Sequence, residues 1–484
     1  MPRVQSRPDY SLKCPAEILQ TIFLGNSQVD LGSFHFGTNC SQVCRRWRDV
    51  AINTAELWST IRVEGRANVL KVETFLTRAR NRPLKIFIQT QITCLLQSPV
   101  LDRTDMINER DYLESGPRTT DNVHGLLPSF SPSTAALVMA FPARKRPSRL
   151  PLETPMGLSE LAELLDILSA KWSQWRTIEF TAHRGPLLES FFYRLSTLPS
   201  AENHIFEMGV FYTGRSLLYD STAQDQILFD GSFYPAFQRA VFQRVILDWA
   251  KSAPTMASLM ILDIESHTVS YESLRDAVSG SRILTELAIR SFKPLGPRLE
   301  IILPCLESLT LTRLVDKDLA DLFQALTVPI LSKLDLEFGS LWIYERFLET
   351  IQTEKYLPMW SRLTHLTLTE TKWNRPQALK VLNNLNLLES LSLRYCTKKN
   401  EFCATLMANP ELCPKLVKLL IPDNIPYEKM IDYLDLRSFR GTSLQQLAFF
   451  GSDSDESREK AILLRRRVKR VDSYTLSISD EDID

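Results

Sequence analysis

Apolar positions in this chain recur in two rhythms. Near the start, CPAEILQTIF places Ile18, Leu19, Ile22 and Phe23 at helical spacing, with Pro15 where a first turn tolerates it. After a Gly- and Asn-containing stretch, Gly25 to Asn39, the segment SQVCRRWRDVAINTAELWSTIRV carries Val43, Trp47, Val50 and Ala51 at i, i+4, i+7 and i+8, with Arg45, Arg46, Arg48 and Asp49 mostly off that face. The pattern predicts a second amphipathic helix. NRPLKIFIQT at 81–90 then alternates like a strand.

The second rhythm fills the C-terminal half. Six-residue L-x-x-L-x-L-like units begin at Met256, Leu284, Leu306, Leu331, Leu363, Leu388, Leu416 and Leu444, so successive starts lie 28, 22, 25, 32, 25, 28 and 28 residues apart. Amphipathic stretches such as DKDLADLFQAL and PQALKVLNNL lie between them. A strand and a helix repeating at that period predict stacked units, each covering its apolar face only when its neighbours are present. Alternation along a strand turns Leu309 and Leu311 inward and the residues between them to the opposite face. The outward positions suited to holding a partner are Arg290, Thr310, Lys333, Asp335, Glu337, His365, Thr367, Ser392, Arg394 and Lys418. They are moderately polar and mixed in sign, which suits protein recognition better than tracking a phosphate backbone.

Five segments follow: a helical module at 1–62, a joining strand and helix at 63–98, an insertion at 99–155, the repeat array at 156–450 and a charged tail at 451–484. The insertion holds eight prolines and no sustained period, and is expected to lack regular structure.

Composition narrows the function. The 484 residues carry 57 basic and 57 acidic side chains, a balance that makes a nucleic-acid binder a poor expectation. The basic run LLRRRVKR near the end is flanked by acidic stretches and reads as a solvated face sooner than a nucleic-acid patch. The first residues, MPRVQSRPDYSLK, lack the apolar core of a signal peptide, and no stretch is apolar enough to span a bilayer, so an intracellular protein of cytoplasm or nucleus is expected. Eight cysteines form no C-x-x-C pair, and Cys396, Cys403 and Cys413 fit no common zinc spacing. No nucleotide-loop, nucleophile-elbow or metalloprotease motif is present, so neither catalytic residues, metal nor cofactor are expected.

The segments CPAEILQTIF and SQVCRRWRDVAINTAELWSTI resemble the F-box, in the form found in F-box-like proteins of basidiomycete fungi, which continue into a PL-x-I-x-I segment and irregular leucine-rich repeats. PLKIFI and the array look like both. Where the family opens its first helix with Leu-Pro, this chain has Cys14-Pro15. The resemblance implies an α/β chain in which a small helical F-box module precedes an irregular leucine-rich-repeat solenoid, with a curved parallel sheet inside and helices outside. It also implies a non-catalytic substrate receptor of a cullin-type ubiquitin ligase, binding a Skp-type adaptor, and through it a cullin, by the F-box and a protein substrate by the repeats. Carried onto this sequence, the docking or module-core positions are Pro15, Ile18, Leu19, Phe23, Val43, Cys44, Trp47 and Trp58. The competing expectations are a repeat scaffold that joins no ligase and a nucleic-acid-associated protein acting through 465–470.

Overall fold

The structure is a computed structural model. It describes residues 14–29, 36–65, 69–91, 155–198, 205–213, 237–245, 247, 249, 256–265, 269–338, 345–369, 373–394, 401–422, 426–450, 464, 465 and 467–474. Most of the expected insertion, residues 99–154, lies outside the described residues.

Three helices open the chain: α1 (Ala16–Val29), α2 (Phe36–Val43) and α3 (Arg45–Asn53), followed by a 3₁₀ turn at Ala55–Trp58. The expectation of one continuous second helix is corrected. The chain breaks at Cys44, whose extended backbone starts α3 while its Sγ accepts the Trp47 N–H at 3.5 Å. A helix start needs such an acceptor because its first N–H groups have no partner within the helix. Helix also occupies much of the stretch expected to be loop, since α1 continues to Val29 and α2 begins at Phe36.

From Thr60 onward the described residues form a parallel sheet of 14 strands in strict chain order, beside two short parallel pairs, Val269–Ser270 with Pro294–Leu295 and Ile301–Ile302 with Leu326–Thr327. Its strands are β1 (Thr60–Glu64), β2 (Leu84–Gln89), β3 (Trp175–Ala182), β4 (Glu207–Tyr212), β5 (Arg239–Gln243), β6 (Ile261–Glu265) and β7 (Glu286–Arg290). They continue as β8 (Ser308–Leu314), β9 (Lys333–Phe338), β10 (His365–Thr369), β11 (Ser390–Arg394), β12 (Lys418–Pro422), β13 (Gln446–Phe450) and β14 (Arg470–Tyr474). Each neighbouring pair is in parallel register, for instance Leu309 beside Leu287 and Leu334. Parallel neighbours need a crossover, and helices supply several of them: α4 (Val69–Ala79), α5 (Leu158–Ser169), α6 (Gly185–Ser196), α7 (Tyr271–Ser279) and α8 (Asp316–Ala325). Further along come α9 (Glu345–Ile351), α10 (Arg375–Leu382), α11 (Glu401–Ala408) and α12 (Tyr427–Phe439). Their apolar faces and the inward strand rows form one continuous core from Trp58 to Val471.

Register rephases the first repeat unit. Ile261 pairs with Glu286 and Leu262 with Leu287, so the unit begins at Leu259, three residues after the expected Met256, and its spacing to Leu284 becomes 25. The same register reveals units that leucine counting misses. Trp175-x-x-Ile178-x-Phe180, Ile205-x-x-Met208-x-Val210 and Phe237-x-x-Ala240-x-Phe242 occupy the same three inward positions, and all nine side chains are buried. Burying each large apolar side chain is worth about 1.5–3 kcal/mol whatever its chemical type, so aromatic or Met side chains serve as well as Leu. The array also runs past its expected end at 450. In the tail, β14 pairs in register with β13, and Leu464, Val468 and Val471 join the core.

At the strand starts one backbone carbonyl of each unit accepts two N–H groups of the next. Met260 O accepts the N–H groups of Thr285 and Glu286 at 2.8 and 3.0 Å, and Glu307, Ser332, Thr364, Glu389 and Val417 repeat this in succeeding units. Hydroxyls add to the ladder, as where Ser258 donates to Phe237 O at 2.9 Å and Thr285 to Met260 O at 3.1 Å. Buried strand starts therefore keep their polar groups satisfied.

Candidate functional site

Two surfaces present themselves: the outside of the helical module and the open face of the sheet, opposite the helices.

In the module, Leu19, Phe23, Cys40 and Ala51 form a small core, against which Cys14, Phe36, Trp47, Val50 and Leu57 pack. Pro15 caps the start of α1, its carbonyl accepting the Leu19 N–H at 3.2 Å. Cys14 lies half-buried beside this core, and its carbonyl accepts from Arg46. Adjacent residues of a helix point about 100° apart, and the structure divides Ile18 from Leu19 accordingly: Leu19 is buried, while Ile18 is 51% exposed. Ile22 at 45% and Val43 at 61% are likewise exposed, so three aliphatic side chains stand outside a module whose own core is complete. Exposed apolar side chains on so small a unit are available to a partner.

Of the residues carried over as docking or core positions, Pro15, Ile18, Val43, Cys44 and Trp47 retain exposed or half-buried surface, whereas Leu19, Phe23 and Trp58 are buried. Trp58 does not face outward at all. It is fully buried in the core of the sheet, lies edge-on to Phe75 with ring centroids 5.0 Å apart, carries the Arg78 guanidinium 4.3 Å above its ring, and donates from Nε1 to Ala51 O at 2.8 Å. It is the first inward position of the first strand unit, followed by Ile61 and Val63, and so ties α3 to the array. Ile22 went unassigned in the sequence because its exposure depends on where α1 packs. Its i+4 spacing from Ile18 was the available signal. Trp47 Nε1 is buried with no hydrogen-bond partner among the described residues.

Residues 14–64 match the family model described as F-box-like. This stretch is an F-box-like domain. The match ends with β1, so the F-box-like domain includes the first strand of the sheet and is continuous with the array through Trp58. No curated protein matches the chain.

On the open face, the register places the ten expected surface residues in three rows across β7 to β12. Lys333, His365 and Lys418 share the first row, Thr310, Asp335, Thr367 and Ser392 the second, and Arg290, Glu337 and Arg394 the third. The middle row is the most enclosed, as expected for positions flanked by others on both sides. Toward the N-terminus it continues through Ala288, Asp263 and Glu179. Burial raises the carboxyl groups of Asp335, Asp263 and Glu179 above their ordinary range, despite Arg394 and Arg290 near Asp335, Arg290 at 3.0 Å from Asp263, and Arg62 near Glu179. Burial, with Lys333 nearby, lowers the imidazole of His365. Three atoms of this face, Asp263 Oδ1, Arg290 Nε and Ser392 Oγ, are buried without a hydrogen-bond partner among the described residues. Nothing in the packing of a repeat sheet requires such groups, and unpaired polar atoms cost stability.

Arg467 is held by Asp435 through two bonds, Nε to Oδ1 at 2.7 Å and Nη2 to Oδ2 at 3.2 Å, while Leu464 and Val468 turn inward. Among the described residues no cluster of His, Cys, Asp and Glu could hold a metal ion, and no helix is long and apolar enough to cross a membrane. Cys396 lies outside the described residues. Cys403 and Cys413 are buried thiols, and burial pushes Cys413 up to about 12.

Proposed function

We propose that this protein is the substrate-recognition subunit of a Skp-cullin-F-box ubiquitin ligase. The F-box-like match at residues 14–64 carries the reading. The domain leaves Ile18, Ile22 and Val43 exposed, and these are the groups we assign to contact a Skp-type adaptor, which in turn joins a cullin. Leu19 and Phe23 act from beneath by fixing the orientation of α1, and we assign Pro15, Cys44 and Trp47 to the same contact.

The open face of β7 to β12 is assigned to a protein substrate. Its support is the row of enclosed carboxylates, which destabilise the free chain and gain from a partner that supplies donors or cations. In this scheme the chain performs no chemistry. Its rigid core sets the distance between the adaptor end and the substrate face, and ubiquitin transfer belongs to the assembled complex.

A pull-down of a Skp-type adaptor by the full chain tests the reading, with Ile18→Asp and Val43→Asp combined as the comparison. Both side chains are exposed, so the variant keeps its fold, which circular dichroism checks. Recovery by the native chain and at least about a tenfold loss in the variant is expected, since charge replaces apolar contact at two central positions. Equal recovery from both chains, or none from either, refutes the adaptor assignment.

A further inference from the structure

Far from both surfaces already described, uncovered positive charge gathers where β12, β13 and β14 begin. A cavity of about 510 Å³ opens there, lined by Lys415, Ser443, Arg467 and Lys469, and no acidic residue lines it. Lys418, Gln446 and Arg470 are register partners, so Lys415, Ser443 and Arg467, each three residues earlier, hold equivalent places in successive units. Of the nearby acids, Asp435 is committed to Arg467 through two bonds and Glu411 to Arg440 at 3.2 Å. Among the described residues neither Lys415 nor Lys469 has a hydrogen-bond or ion-pair partner, and the same holds for the N–H and hydroxyl of Ser443.

The walls of this recess are set from within. Arg437, fully buried on α12, donates to the carbonyls of Leu412, Cys413, Leu416 and Thr442 at 3.0 to 3.3 Å, and Gly441, at φ +76°, makes the left-handed turn that leads to Ser443. Its donors are therefore in place before anything arrives to meet them.

Beside the recess, β14 pairs with β13 alone among the described strands, so its other edge is open. Open sheet edges are usually covered. After Tyr474 the sequence reads TLSISDEDID, with Asp480, Glu481, Asp482 and Asp484 and no basic residue. Lys469 stands five residues before Tyr474 and the acids six to ten after it. At about 3.3 Å per residue the recess lies roughly 17 Å back along β14, within the roughly 20 to 33 Å that the acids can reach.

We propose that residues 480–484 turn back onto this recess, their carboxylates meeting Lys415, Lys469 and the donors of Ser443, so that the segment clasps β14 to its neighbours. Opposite charge brings the two together, and the tether makes modest affinity sufficient, since a short linker holds a segment at an effective concentration of about 1 mM. The acids between β13 and β14, at 453, 455, 456 and 459, fit less well because Arg458 and Lys460 lie among them. The inference is independent of the receptor reading.

The test is fluorescence anisotropy of a labelled peptide of residues 475–484 against the native chain and a full-length variant with Asp480→Asn, Glu481→Gln, Asp482→Asn and Asp484→Asn. The variant, its own clasp disabled, is expected to bind the peptide at least about threefold more tightly than the native chain, whose tethered segment competes. Adding Lys415→Gln and Lys469→Gln to the variant should abolish binding. Hydrogen exchange over 464–474 should also be at least about threefold faster in the four-acid variant than in the native chain, with Val69–Ala79 unchanged. Affinities within about twofold for the two chains, no binding to the variant up to about 1 mM peptide, binding that survives loss of both lysines, or unchanged exchange over 464–474 overturns the proposal. Two other occupants would overturn it as well. One is the acidic stretch at 453–459, if neutralising its acids and not those of 480–484 admits the peptide. The other is a second copy, if the native chain admits the peptide on dilution.

Discussion

Replacing Arg437 with methionine takes a donor from five backbone carbonyls, those of Pro410, Leu412, Cys413, Leu416 and Thr442, of which Cys413 O still accepts the Leu416 N–H at 3.0 Å. Each buried acceptor stripped of its partner costs roughly 1–3 kcal/mol, which summed naively exceeds the effect of any ordinary substitution. Two terms reduce it. The native state no longer buries a cation, and water reaches the outermost carbonyls of the 440–443 turn. Removing one side of a buried charged network typically costs about 3–5 kcal/mol, and that range is expected here. A solenoid of this length does not unfold in one step, so the assay is local: amide hydrogen exchange by mass spectrometry. Peptides covering 409–422 and 440–450 should exchange about a hundredfold to several thousandfold faster in the variant, while peptides from β1 to β3 are unchanged. Exchange at 409–422 within about threefold of the native rate would refute the reasoning.

Asp335→Asn removes a carboxylate whose range burial has raised, a group that takes up protons more readily in the folded than in the unfolded chain. Stability conferred by its protonation falls as pH rises through the folded value, so the variant should be more stable than the native chain at pH 7 and lose that advantage as pH falls into the carboxylate range, read from thermal melts across pH. The same variant should bind a substrate less well, and unchanged binding would remove Asp335 from the recognition face. Trp58→Ala should cost about 3–5 kcal/mol and expose residues 14–64 to limited proteolysis ahead of the array, because Trp58 joins the two. Gly209→Ala places a Cβ 2.8 Å from Phe211 Cε2 and 3.1 Å from Glu179 Cγ on the open face, and a fall in melting temperature corresponding to about 1–3 kcal/mol is expected.

Most of the array was legible because leucine at every third or second position repeats at near-constant intervals, and Leu309, Leu334, Leu366 and Leu391 align in register as that repetition implies. The units at 175, 205 and 237 were not, because burial is indifferent to whether Trp, Met, Phe or Leu fills the row, whereas a pattern of leucines is not. The last strand was hidden by its charges: among the described residues of RRRVKRV, Val468 and Val471 alone turn inward, too few to stand out. In the helical module, composition identified the apolar residues but not their direction. Whether Ile18 or Leu19 meets solvent depends on how α1 rests on α3, a tertiary fact, and Cys44 as a helix start is an unusual choice of acceptor. The rows of the open face followed directly from alternation, while the enclosure of Asp263 and Asp335 follows from how closely neighbouring strands crowd them.

The most direct test of the adaptor-receptor account is a hydrogen-exchange footprint of the full chain with and without a saturating Skp-type adaptor. The account predicts slowed exchange in peptides covering Ala16–Val29 and Phe36–Val43, with the strands from Glu286 to Arg394 unaffected. No slowing at either helix, or slowing confined to the open face of the sheet, would contradict it.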